Sequence, residues 1–105
     1  MSERIRIASL TDLPDGRGVR VDLPGHRIAV FRLADRVHAV ADRCSHAEAS
    51  LAEGEVFDGS VECPRHGAEF DLSTGEPASL PATRPLAVYP AEVEDGEVYL
   101  EVESS

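Results

Sequence analysis

Two short knuckles constrain this chain more than any other feature: Cys44-Ser45-His46 and Cys63-Pro64-Arg65-His66-Gly67. They contain both cysteines of the chain and two of its four histidines. One residue separates Cys44 from His46, two separate Cys63 from His66, and sixteen lie between the knuckles. Cysteine and histidine at such close spacing read first as metal ligands. One metal centre can use all four only if the fold brings two distant segments side by side. The architecture must therefore offer two neighbouring loops on a firm support.

Other uses of these residues make different demands. A disulfide between Cys44 and Cys63 does not require a histidine beside each cysteine. The N-terminus, Met1-Ser-Glu-Arg-Ile-Arg-Ile, is too polar for a signal peptide. The expected compartment is the cytoplasm, where disulfides are rare. A structural zinc site accepts two Cys and two His, but its common pattern places Cys with Cys and His with His. Here each knuckle mixes the two. Nucleophilic Cys–His catalysis needs one reactive cysteine and leaves the second knuckle unexplained. His26 and His38 have no ligand spacing; they read as a loop residue and a strand residue.

The 105 residues fit one domain, 1–105, with 42% hydrophobic and 29% charged residues, enough for a modest core. No apolar run is long enough for a transmembrane helix. The chain reads as all-β, in short strands between turn residues. Arg4–Ala8 alternates with period two, and Leu10–Asp12 reads as a turn or helical cap. Val19–Leu23 ends at Pro24-Gly25. Arg27–Leu33 and Arg36–Ala41 form a hairpin across Ala34-Asp35, although that is not a preferred turn pair. Glu55–Phe57 and Ser60–Glu62 meet at Asp58-Gly59. Glu69–Leu72 precedes the turn-like Ser73–Pro77. The proline-rich stretch from Pro77 to Pro85 cannot pair as a central strand. Leu86–Glu94 and Glu97–Val102 make a last hairpin across Asp95-Gly96, a strong turn signal. Early and late strands are expected to pair into a base that presents the Cys/His segments at one end.

Twenty acidic and ten basic residues give a net charge of -10. Such a surface repels nucleic acid and anionic membranes. It suits a basic patch on a protein partner, although solubility alone would also account for it.

At the two knuckles the chain resembles the Rieske family, whose pattern is C-x-H, a spacer of about this length, then C-x-x-H. It is most similar to the soluble bacterial Rieske-type ferredoxins of ring-hydroxylating and other non-haem iron oxygenases. Cys63 to Gly75, C-P-R-H-G-A-E-F-D-L-S-T-G, resembles the family's second ligand loop and the turn after it. Pro81-Ala82, Leu86, Tyr89 and Pro90 resemble its proline loop and returning strand. The likeness spans roughly residues 27–102.

The resemblance implies the Rieske fold: an antiparallel β-sandwich base with a small inserted cluster-binding lobe at about 42–68. It implies one Rieske-type 2Fe-2S cluster held by Cys44, His46, Cys63 and His66. Cys44 and Cys63 would hold one iron, and His46 and His66 the other. Neutral imidazoles make adding an electron easier than an all-cysteine set would. Respiratory Rieske proteins add a cysteine to each loop and carry a membrane anchor; here the corresponding neighbours are Ala and Arg, no other cysteine exists, and no anchor is expected. Their second loop also has a serine hydroxyl toward the cluster, where this chain has Ala68. The expected potential therefore lies toward the negative end of the roughly −150 to +300 mV Rieske range.

The length leaves no room for the mononuclear-iron domain of a Rieske oxygenase, so the expectation is a monomeric electron carrier and not an enzyme. The implied partners are a flavin-dependent reductase and a terminal non-haem iron oxygenase, with no nucleic acid and no membrane. A role beside iron–sulfur cluster assembly and a structural zinc module remain as alternatives. Glu48, Glu53 and Glu69 are candidate docking contacts or ordinary solvated carboxylates, and Arg65, between two ligands, would meet an acidic partner or simply shield local charge.

Overall fold

The structure, a computed structural model, describes residues 2–42, 50–63, 69–77 and 86–103. Among these residues, ten strands form three antiparallel sheets. In the first, β1 (Ser2–Ser9) pairs with β10 (Glu97–Glu103), and β10 with β9 (Ala91–Glu94). In the second, β2 (Gly18–Leu23), β3 (His26–Leu33), β4 (Arg36–Ala41) and β8 (Val88–Tyr89) lie in that order. In the third, β5 (Glu55–Phe57), β6 (Ser60–Glu62) and β7 (Glu69–Asp71) form a small meander. Two single 3-10 turns, Leu10–Asp12 and Leu51–Glu53, are the helical elements among the described residues. The first and last long strands pair with each other, as the strand order predicts.

The middle sheet is covered on both faces. From β3, Ile28 and Val30 point to one side, where they join Val37, Ala39, Val98, Leu100 and Val102. This cluster glues the middle sheet to the outer one and makes the β-sandwich base. Ala29 and Phe31 point to the other side, onto Val61, Phe70 and Leu72 beside the third sheet. A strand covered twice needs an unbroken apolar run, and Ile28-Ala29-Val30-Phe31 supplies one. All four side chains are fully buried.

The turns follow from local chemistry. Asp58-Gly59 and Asp95-Gly96 both have positive φ at each residue, which suits a two-residue hairpin. Ala34 also adopts a left-handed φ of 59°, which is costly for alanine. Two side-chain contacts, one distant in sequence and one local, hold it there. Asp15 Oδ1 accepts the Ala34 N–H at 2.8 Å, and Arg32 Nε donates to the Ala34 carbonyl at 2.7 Å. The hairpin forms despite its poor turn pair because of these partners.

Two sequence expectations change. Leu86–Glu94 is not one strand: β8 pairs with β4, β9 pairs with β10, and Pro90 divides them. Pro90 has no N–H to donate, while its carbonyl accepts the Glu101 N–H at 3.0 Å. The chain passes from one sheet to the other at this residue. His26, read as a loop residue, opens β3. Its ring meets Tyr89 edge-on at 5.6 Å, and its Nε2 lies 3.0 Å from the Glu103 carbonyl.

Candidate metal centre

Cys63 directly follows β6, and its residue is fully buried as a free cysteine. It has the same strand-side parity as Val61, two residues earlier. Both join Leu51, Phe70, Leu72 and Leu86 in the apolar cluster between the middle and third sheets. The sulfur is a soft donor with apolar neighbours that keep water from its inner side. Cys44, His46 and His66 lie outside the described residues, as do Glu48, Arg65, Ala68, Pro81 and Ala82. Among the described residues, no three His, Cys, Asp or Glu side chains gather as a metal site.

The described residues nonetheless fix the ends of the two segments that carry the other candidate ligands, and of the proline-rich segment 78–85. Segment 43–49 runs between Asp42 and Ser50, which are hydrogen-bonded to each other. Segment 64–68 runs between Cys63 and Glu69, and Glu62 and Glu69 are register partners. Segment 78–85 ends at Leu86, whose N–H donates to the Gly75 carbonyl at 2.7 Å. Leu51, Cys63 and Leu86 then belong to one buried cluster. Three distant stretches of sequence are therefore rooted on the same apolar patch. The candidate donors of the sequence, two sulfurs and two imidazoles, would suit a mixed-ligand two-iron cluster.

Asp42 was not singled out by the sequence, and among the described residues it is the one fully buried charged side chain. Ser50 Oγ donates to its carboxylate at 2.8–2.9 Å, and the Ala52 N–H donates to Oδ1 at 2.9 Å. Arg20 Nε and Arg27 Nε stand 3.9 and 3.8 Å from Oδ2. A buried carboxylate without such partners would cost several kcal/mol, about the effective penalty for a desolvated ion. Gly18 adds a second tie here: a Cβ at that position would lie 2.7 Å from the Ala52 carbonyl oxygen.

Electrostatics elsewhere are milder. His38 sits half-buried on β4. Burial holds its imidazole below the ordinary range, Arg36 pushes the same way, and Asp71 opposes both. In the third sheet, Glu55, Glu62 and Glu69 lie opposite one another in register. Glu53 is exposed on the neighbouring 3-10 turn. No described helix is long and apolar enough to cross a membrane.

Comparison with known proteins agrees with this arrangement. A family model described as the Rieske [2Fe-2S] domain matches residues 3–90. The 3-phenylpropionate/cinnamic acid dioxygenase ferredoxin subunit of Escherichia coli (strain K12) is 42% identical over 100 residues, covering 94% of this chain and 93% of that protein. A chain in the solved complex of reduced oxygenase and oxidised ferredoxin of carbazole 1,9a-dioxygenase is 41% identical. It superposes with a TM-score of 0.86 over 92% of this chain and 91% of that one. The ferredoxin of carbazole 1,9a-dioxygenase from Nocardioides aromaticivorans IC177 is 35% identical, with a TM-score of 0.88 and coverage of 92% and 95%.

Proposed function

This chain belongs to the Rieske [2Fe-2S] domain family, and from that premise we propose that it is a low-potential electron carrier in the cytoplasm, serving a terminal non-haem iron oxygenase. It takes one [2Fe-2S] cluster of the Rieske type. When bound, that cluster accepts and gives up a single electron at a time. The chain is an electron-transfer component and not a catalyst on its own. Its electrons come from a flavin-dependent reductase.

The cluster ligands in this reading are Cys44, His46, Cys63 and His66. The observation that carries it is the common rooting of segments 43–49 and 64–68 on the cluster that buries Cys63. A metal group with ligands from both segments needs such a shared support. Residues 1–105 form one Rieske domain, and the lobe at about 42–68 is inserted into the base between β4 and the returning strands. The three glutamates aligned across β5, β6 and β7 favour a partner with a basic docking face. The relatives described above are ferredoxin subunits, which favours the oxygenase system over cluster assembly or structural zinc.

The test is reconstitution. Reductase and terminal oxygenase of an aromatic-ring dioxygenase, deprived of their own ferredoxin, should regain product formation when this chain is added. Its midpoint potential should lie below zero, toward the negative end of the roughly −150 to +300 mV range. A chain that the reductase cannot reduce, or a midpoint well above zero, contradicts the proposal.

A further inference from the structure

We propose that Asp42 is the positioning residue of the centre, and that with Ser50 it forms a clasp setting where Cys44 and His46 stand relative to Cys63. The inference rests on the ligand reading above. Asp42 lies two residues before Cys44, and Ser50 four residues after His46. The two ends of the ligand-bearing segment are thus joined through one carboxylate.

The partners of Asp42 show what it connects. Its main-chain N–H donates to the Arg27 carbonyl at 2.9 Å, which extends the β3–β4 ladder by one rung. Its backbone therefore belongs to the rigid base. Its side chain instead reaches Ser50 and Ala52, at the start of the 3-10 turn whose Leu51 is fully buried. Arg20 from β2 and Arg27 from β3 face the same oxygen at distances suited to charge compensation more than to hydrogen bonding. Four anchoring groups from three places converge on this carboxylate.

Closing a short segment does not demand a buried charge. A backbone hydrogen bond or an apolar contact does so at lower desolvation cost. What the carboxylate adds is direction: two oxygens accept from defined donors and fix both ends at once. Cys63 is anchored separately, directly after β6 of the third sheet. A cluster bridging both knuckles needs the spacing between them held. A residue that fixes one knuckle against the middle sheet does that without touching the cluster.

The experiment compares the cluster-loaded wild type with Asp42→Ala, Asp42→Asn and Ser50→Ala, and with Leu100→Ala as a control in the sandwich base. Anaerobic loss of iron to a ferrous chelator is followed well below each variant's unfolding temperature, alongside the reduced-state electron paramagnetic resonance. Outer-shell partners of metal ligands typically change affinity by about 10–100-fold when removed. Asp42→Ala should release iron about 10-fold faster or more and broaden or shift the resonance. Asp42→Asn and Ser50→Ala should show smaller changes in the same direction. They carry the test if Asp42→Ala does not fold. Leu100→Ala should lose stability yet keep the wild-type release rate and spectrum. Wild-type rates and resonance in the Asp42 and Ser50 variants would overturn the proposal. So would equally fast release from Leu100→Ala, which would mean that general destabilisation suffices. A wild type that holds no iron and sulfide instead overturns the ligand reading itself.

Discussion

Gly59 and Gly75 have nearly the same left-handed φ, +75° and +76°, in very different surroundings. A Cβ on Gly59 would meet nothing within 4 Å, whereas one on Gly75 would lie 2.3 Å from the Leu86 carbonyl oxygen. Gly59→Ala should therefore cost only the left-handed strain, roughly 1–2 kcal/mol. Gly75→Ala adds a backbone clash and should cost about 3–5 kcal/mol, in the range of diagnostic substitutions. Urea unfolding of the two variants measures the difference; equal losses would contradict it. His38 gives a pH-dependent term. Its folded pKa is lowered by burial first and Arg36 second. The unfolded imidazole, near about 6.5, then binds protons more readily than the folded one. His38 thus lowers stability as pH falls through about 6.5, and its contribution levels off below the folded value. In His38→Gln the urea midpoint should fall less between pH 7 and pH 5.5 than in wild type, and an identical fall would refute this. At this scale the knuckles stand out as candidate ligands because ligand chemistry is written in residue type and spacing. Asp42 was not, because an aspartate after a strand looks like any solvated turn residue until tertiary packing buries it.

Among the elements, β3 does most to organise the molecule, since each of its faces serves a different cluster. The consequence is a predictable separation of effects. Phe70→Ala empties the cluster that holds Cys63, and Leu100→Ala empties the one within the sandwich. Each should cost in the range of about 2–5 kcal/mol by urea unfolding. Only Phe70→Ala should also disturb the visible absorption of the bound cluster; an unchanged spectrum there would contradict the proposed support. Most element boundaries could be read from alternation and from Asp-Gly turns, which act locally. The Ala34-Asp35 hairpin was read correctly while its turn chemistry looked wrong, because Asp15 from a distant loop and Arg32 from the hairpin itself hold it. The division at Pro90 was missed because apolar alternation runs through it. Only the switch of partner sheet, a non-local fact, shows that two strands are present.

At the scale of the whole molecule, a double-covered sheet separates the sandwich cluster from a smaller apolar cluster at the roots of the candidate ligand segments. The all-β class followed from the strand pattern and the family resemblance. The way three segments share one root did not, since Leu51, Cys63 and Leu86 are far apart in sequence. The net charge of -10 bears on partner docking and solubility, not on this architecture. The central claim concerns what the support holds. Its most direct test is the iron and acid-labile sulfide content of anaerobically purified protein, measured together with zinc. The account predicts two irons and two sulfides per chain, in keeping with a [2Fe-2S] centre, and their loss in His66→Ala. Stoichiometric zinc without sulfide, or full iron content in His66→Ala, would contradict it.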